Sequence, residues 1–144
     1  MKAAFAERFN KLEKYHLEII RRKNKPADLS ISGVFDRYQF PVLTKDHVPL
    51  LWRYDLNENS NPFLMERFGI NTVLNAGAIK WKNKYVLMAR VEGVDRKSFF
   101  AIAESPNGTD QFTFWERPVT VPVLDQEETN FYDVRLTTHE DGWV

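Results

Sequence analysis

Between Val48 and Thr137 the chain is a succession of short apolar runs broken by turn-forming residues, and that spacing points to a β fold. The runs are Val48–Tyr54, Thr72–Lys80, Tyr85–Val91, Phe99–Glu104, Phe112–Trp115 and Phe131–Thr137. Asp55–Pro62 is rich in Asn and Asp, Lys82-Asn83-Lys84 has the length of a tight hairpin link, and Ser105-Pro106-Asn107-Gly108 reads as a turn. The strongest hairpin prediction joins Leu74–Lys80 to Tyr85–Arg90. Regularly spaced short strands of this kind suit a sandwich, a barrel or a propeller. The last residues, Asp141-Gly142-Trp143-Val144, read as a turn entering another strand, so the natural protein is expected to continue.

Ahead of the β region lies a different period. Phe5, Phe9, Leu12, His16 and Ile19 recur every three or four residues, one face of a helix. Glu7–Lys11 and Glu18–Arg22 have the favoured i,i+4 order. The basic run Arg21-Arg22-Lys23 suits the negative end of the helix dipole, and Pro26 is the expected stop. The same run could suggest nucleic-acid binding, but the helix end accounts for it. Residues 1–25 are thus expected to form an amphipathic helix that braces the molecule or joins subunits, and 26–144 the first part of a β domain. One domain is what 144 residues support.

Lys+Arg and Asp+Glu are 20 each, so no net field draws the chain to nucleic acid or to an anionic membrane. Without cysteine there is neither a disulfide nor a thiolate metal site. The first residues become charged before any long apolar run develops, and no run approaches the ~20 residues of a membrane span. A cytoplasmic location is the expectation. Aromatic residues reach 14% of the chain, from a β-rich core or from a cleft where rings stack on sugar faces.

Candidate chemistry is confined to polar residues set in apolar strands. Asn75 interrupts Val73–Ile79, Arg90 closes Tyr85–Ala89, and Asp133 and Arg135 lie within Phe131–Leu136. Burying such groups costs several kcal/mol unless they are paired, so each is a salt-bridged core position or a functional one. Arg135, two residues from Asp133 on one strand face, is a natural ion-pair partner for it. His16, His47 and His139 are scattered and read as structural or exposed. No Gly-rich phosphate loop, metal-ligand cluster or nucleophile elbow is present in the sequence.

Several of these segments resemble, in order and approximate spacing, the opening portion of mannosylglucose phosphorylases. They are Asp36-Arg37-Tyr38, Pro41–Thr44, Trp52–Asn57, Asn61–Arg67, Asn75–Ile79, Ala89–Gly93, Asp95–Phe100, Ala103–Gly108 and Tyr132–Leu136. The family is grouped with β-mannoside phosphorylases and some β-1,2-mannosidases as five-bladed β-propellers several hundred residues long. The resemblance therefore implies a mainly β fold: the N-terminal portion of a five-bladed propeller, preceded by the helix.

It also implies roles. Asp133 matches the family's catalytic acid, and the resemblance implies that its proton reaches the glycosidic oxygen through the mannose 3-hydroxyl. Asn75, Arg90, Asp95, Arg96 and Tyr132 match positions lining the sugar subsites. The implied reaction is an inverting phosphorolysis of β-1,4-mannosyl-glucose, transferring mannose to phosphate to give α-mannose 1-phosphate and glucose. Inorganic phosphate is then the co-substrate, with no metal or organic cofactor and no nucleic-acid or membrane partner. An inverting hydrolase needs a second carboxylate to activate water. A phosphorylase needs only the acid and a cationic cradle, and the family's cradle positions fall after Val144. Homo-oligomers, hexamers among them, are implied, and residues 1–144 alone are expected to be inactive. The alternatives are a phosphorylase or hydrolase of other β-mannosides, such as manno-oligosaccharides, and a non-catalytic sugar-binding or assembly fragment.

Overall fold

The structure, a computed structural model, describes residues 2–27, 35, 37–122 and 130–142. Asp36 and the strand expected to start at Trp143 lie outside the described residues.

Helix α1 spans Lys2–Arg21, 20 residues. Its stripe faces its own chain: Phe5 and Ile19 are buried, and Phe9, Leu12, His16 and Ile20 are half-buried. Arg8 donates to the Phe63 carbonyl at 2.8 Å and Tyr15 Oη to Asp46 at 3.3 Å, so both ends of the stripe are tied to the loops beside it. The helix stops well before Pro26 because Asn24 takes over the backbone. Its Nδ2 donates to the Phe40 and Thr109 carbonyls, its Oδ1 accepts from Phe40 and Lys25 N–H, and its own N–H binds Asp110. Neither Glu7–Lys11 nor Glu18–Arg22 closes as an ion pair among the described residues; such exposed pairs gain little, and Arg22 lies instead 4.6 Å from the Phe40 ring centre.

The run Val48–Tyr54 is not a strand, contrary to the sequence reading. A 3₁₀ turn at Lys45–His47 is capped by Thr44, and α2 follows at Leu50–Arg53 with Pro49 at its N-cap. The capping chemistry and the proline turn the chain inward, so that Val48 (0% exposed) and Trp52 meet the sheet at i,i+4 spacing. The capping box uses His47: Thr44 N–H donates to its Nδ1 at 3.0 Å. Burial, reinforced by nearby His16 and Arg22, lowers the His47 pKa to about 4. A folded pKa below the unfolded 6.5 means that the unfolded chain binds the extra proton first. Stability is therefore expected to fall as pH drops from about 6.5 to about 4, and His47→Gln should flatten that limb in urea titrations. An unchanged pH profile in the variant would exclude His47 as its source.

The sheet is an antiparallel meander in the order β1-β2-β3-β4: Ile70–Trp81, Lys84–Gly93, Ser98–Ser105 and Thr113–Phe114. Trp81 pairs with Lys84, which makes the expected hairpin with Lys82 at φ 54°. One face carries Ala89, Val91 and Ala101, all fully buried, with Phe99 and Phe114 beside them, and packs on Val48 and Trp52. The Ser105–Asp110 turn closes on the Ser105 hydroxyl, which donates to Asp110 O at 2.6 Å and accepts from the Asn107 and Gly108 N–H groups. Gly108 is required there: its φ is 77° and a Cβ would stand 2.8 Å from the Tyr85 ring.

Phe131–Thr137 also departs from the sequence reading, for it joins no ladder among the described residues. It runs across the opposite face of the sheet instead of along an edge. Two features exclude a strand. Phe131 N–H is taken by the Ser98 hydroxyl at 3.1 Å, and Asp133 adopts φ 44° in the left-handed region.

Candidate functional site

Strand alternation places Arg90 and Glu92 of β2, and Ser98 and Phe100 of β3, on the face away from the Val48 core. The register pairs Arg90 with Phe100 and Glu92 with Ser98, so these four form two adjacent rows. Strand β1 adds two asparagines through irregularities. Leu74 pairs with Arg90 and Ala76 with Ala89, leaving Asn75 as an extra residue; Asn71 is skipped in the same way between Ile70 and Thr72. A bulge of this type re-aims the side chain it leaves unpaired.

Both asparagines reach a carboxylate. Asn75 Nδ2 donates to Asp133 Oδ1 at 2.9 Å, and Asn71 Nδ2 donates to Glu92 Oε1 at 2.7 Å. The crossing segment brings Asp133 to this face. Ser98 Oγ donates to Asn130 Oδ1 and to Phe131 O, and the Phe131 ring packs on Phe100 with centroids 5.2 Å apart. Arg90 contributes a 3.4 Å bond from Nη1 to Phe131 O and lies 4.9 Å beneath the Tyr132 ring. Its Nε is buried and has no hydrogen-bond partner among the described residues. A buried donor left unpaired costs ~1–3 kcal/mol, which a ligand oxygen or a water would recover.

Asp133 and Tyr132 are exposed, and Tyr132 keeps 68% of its surface accessible above Arg90. Arg96 sits at the β2–β3 hairpin with φ 68°, its Nε 3.3 Å from Glu92 Oε1. Asp95 stands at the same tip, where its Oδ1 accepts from Lys97 N–H at 3.1 Å. Of the residues singled out in the sequence, Asn75 and Asp133 meet directly, and Arg90 meets Tyr132. Arg96 joins the group through Glu92, while neither Arg96 nor Asp95 shares a hydrogen bond or ion pair with Asp133 among the described residues. The expected Asp133–Arg135 ion pair is absent among them, because the segment is not extended there; Arg135 donates to Val134 O instead.

Sequence reasoning missed Glu92, Asn71 and Ser98. Glu92 was legible, since period-two alternation from Arg90 puts it on the same face. Asn71 and Ser98 carried no such signal, because their roles depend on a bulge and on a segment more than thirty residues away. Among the described residues no group of three His, Asp or Glu side chains could hold a metal ion, and no helix is long and apolar enough to cross a membrane.

Below the polar residues the same face becomes an apolar trough lined by Ile79, Val86, Met88, Ile102, Trp115 and Leu136. The arrangement thus offers one exposed carboxyl held by an amide, cationic and aromatic groups beside it, and an apolar floor continuing down the sheet.

No family model matches the chain. It is 59% identical over 140 residues, 97% of its length, to a curated 4-O-β-D-mannosyl-D-glucose phosphorylase from Bacteroides fragilis. The resemblance read from the motifs is thereby borne out. The chain spans 36% of that relative's length.

Proposed function

We propose that the protein carrying this chain is an inverting phosphorylase of β-1,4-mannosyl-glucose, releasing α-mannose 1-phosphate and glucose, and that Asp133 is its general acid. The identity of 59% over almost the whole chain carries this reading. The exposed Asp133 carboxyl fits the role, because a proton donor must reach its substrate and needs a fixed orientation, which the Asn75 amide offers. Arg90, Arg96, Asp95, Asn75 and Tyr132 line the mannose subsite in this reading. The orphaned Arg90 Nε would find its partner in a sugar hydroxyl, and the open Tyr132 ring is a platform for a pyranose face. Phosphate serves as nucleophile, held by cationic residues outside this chain, so no second carboxylate is needed. The meander is then one four-stranded blade of a five-bladed propeller, whose apolar trough is the face a neighbouring blade would cover.

The deciding experiment is an assay of the full-length protein on mannosyl-glucose with and without phosphate. Mannose 1-phosphate formed only with phosphate supports the reading; free mannose formed without it means a hydrolase. Arg96 supplies a finer check. Its planar guanidinium forms an ion pair with Glu92 through Nε, and its terminal nitrogens, without a hydrogen bond among the described residues, are available to hydroxyls, a geometry that lysine does not reproduce. Arg96→Lys is expected to lower kcat/KM by about 10-fold, the value of one charge-assisted hydrogen bond. A drop in thermal stability with unchanged kinetics would assign Arg96 to the hairpin's structure alone.

A further inference from the structure

Asp133 stands at φ 44°, a left-handed conformation that Asp tolerates better than most non-glycine residues, and the segment around it is restrained from both sides. The restraint on its upstream side is Ser98, whose hydroxyl accepts from Phe131 N–H at 3.1 Å and shares its one proton between Asn130 Oδ1 at 3.1 Å and Phe131 O at 3.3 Å. The restraint on its downstream side is a close approach of two backbones. Gly77 of β1 is buried, and a Cβ built on it would stand 3.0 Å from Val134 O, 3.2 Å from Arg135 Cα and 3.2 Å from Leu136 Cγ. Two of those three atoms are backbone, which cannot rotate aside as a side-chain tip can. Gly77 also lies two residues along β1 from the bulge that sends Asn75 to Asp133 Oδ1.

We infer that Gly77 and Ser98 are positioning residues for the general acid: together they seat residues 131–136 on the sheet so that the Asp133 carboxyl is held at a fixed height and angle. Neither residue has been given a part in sugar binding, and the inference rests on Asp133 being the acid. A methyl group at position 77 lifts the Val134–Leu136 backbone by a few tenths of an ångström and tips Asp133 away from the Asn75 amide. The chemistry that suffers is proton delivery to the departing oxygen. Catalytic geometry is steep in distance: a misplacement of about 1 Å can cost about 100-fold.

The experiment compares two substrates in the full-length protein with phosphate saturating: mannosyl-glucose, whose leaving group must be protonated, and dinitrophenyl β-mannoside, whose phenolate leaves unaided. Gly77→Ala is expected to lower kcat on the disaccharide by about 10-fold, to change its KM by less than about 3-fold, and to leave the aryl substrate within about 3-fold of the parent. Ser98→Ala, which removes one hydroxyl and adds no bulk, should show the same selectivity at about 10-fold, and it decides the matter if Gly77→Ala does not fold. Equal losses on both substrates, or normal kinetics in a folded Gly77→Ala, overturn the seat. Asp133→Asn separates this outcome from failure of the underlying assignment: if it too loses equally on both substrates, Asp133 is not the acid.

Discussion

Asp133→Asn is expected to reduce phosphorolysis of mannosyl-glucose by at least about 100-fold while leaving disaccharide binding nearly unchanged, because general-acid catalysis is typically worth ~10²–10⁴-fold. The substitution keeps the size and planarity of the side chain. Its amide oxygen can still accept the 2.9 Å bond from Asn75 Nδ2, so the seat is preserved and only the transferable proton is lost. The measurement is kcat and KM at saturating phosphate, with binding followed separately by calorimetry. A fall in kcat alone identifies a group used in the transition state. Turnover within a few-fold of the parent would remove Asp133 from the mechanism.

The second large effect is on stability. Phe112→Ala is expected to destabilise the protein by about 3–5 kcal/mol, the usual cost of emptying an aromatic site in a packed core. Phe112 is 2% exposed and is among the largest fully buried side chains of the described residues. It follows Gln111, whose φ of 56° turns the chain inward after the Ser105–Asp110 turn, so the surrounding backbone is held by hydrogen bonds and cannot collapse into the space. Against a typical domain stability of ~5–15 kcal/mol this is a large fraction. The comparison is Leu51→Ala, an equally apolar residue that is 68% exposed and should change stability by no more than about 0.5 kcal/mol. Urea unfolding of the two variants checks both values, and a Phe112→Ala loss below about 1 kcal/mol would show that the site relaxes.

These two residues differ in how far the sequence could speak for them. Phe112 opens a short aromatic run next to a turn signal, and its burial follows from local pattern. The β1–β2–β3 meander was legible for the same reason: alternation along each strand and the two-residue link at Lys82-Asn83 fix both register and facing. That is why Arg90 could be singled out within an apolar run. The helix was equally plain from Phe5 to Ile19, although its end was not, because Asn24 caps it with partners at Phe40, Thr109 and Asp110.

Two apolar runs were misread, and each shows a limit of period counting. Val48–Tyr54 has strand composition, but Thr44, His47 and Pro49 satisfy the backbone locally and turn it into helical pieces. Phe131–Thr137 has strand alternation, yet the sheet offers it a face instead of an edge. Nothing in that segment's own residues records this, since the anchors are Ser98 and Gly77 on other strands.

Local pattern suffices for the elements whose hydrogen bonds close within a few residues or across one tight turn: α1, the β1–β2 hairpin and the Ser105–Asp110 turn. It also marks the polar residues that had no apolar reason to be where they are. What those residues do together is set by long-range packing. Asn75 meets Asp133 across 58 positions of chain, through a bulge that adds one residue to β1 and a left-handed φ that no local pattern requires. Contacts of that separation depend on how the segments pack, and period and propensity carry no term for it.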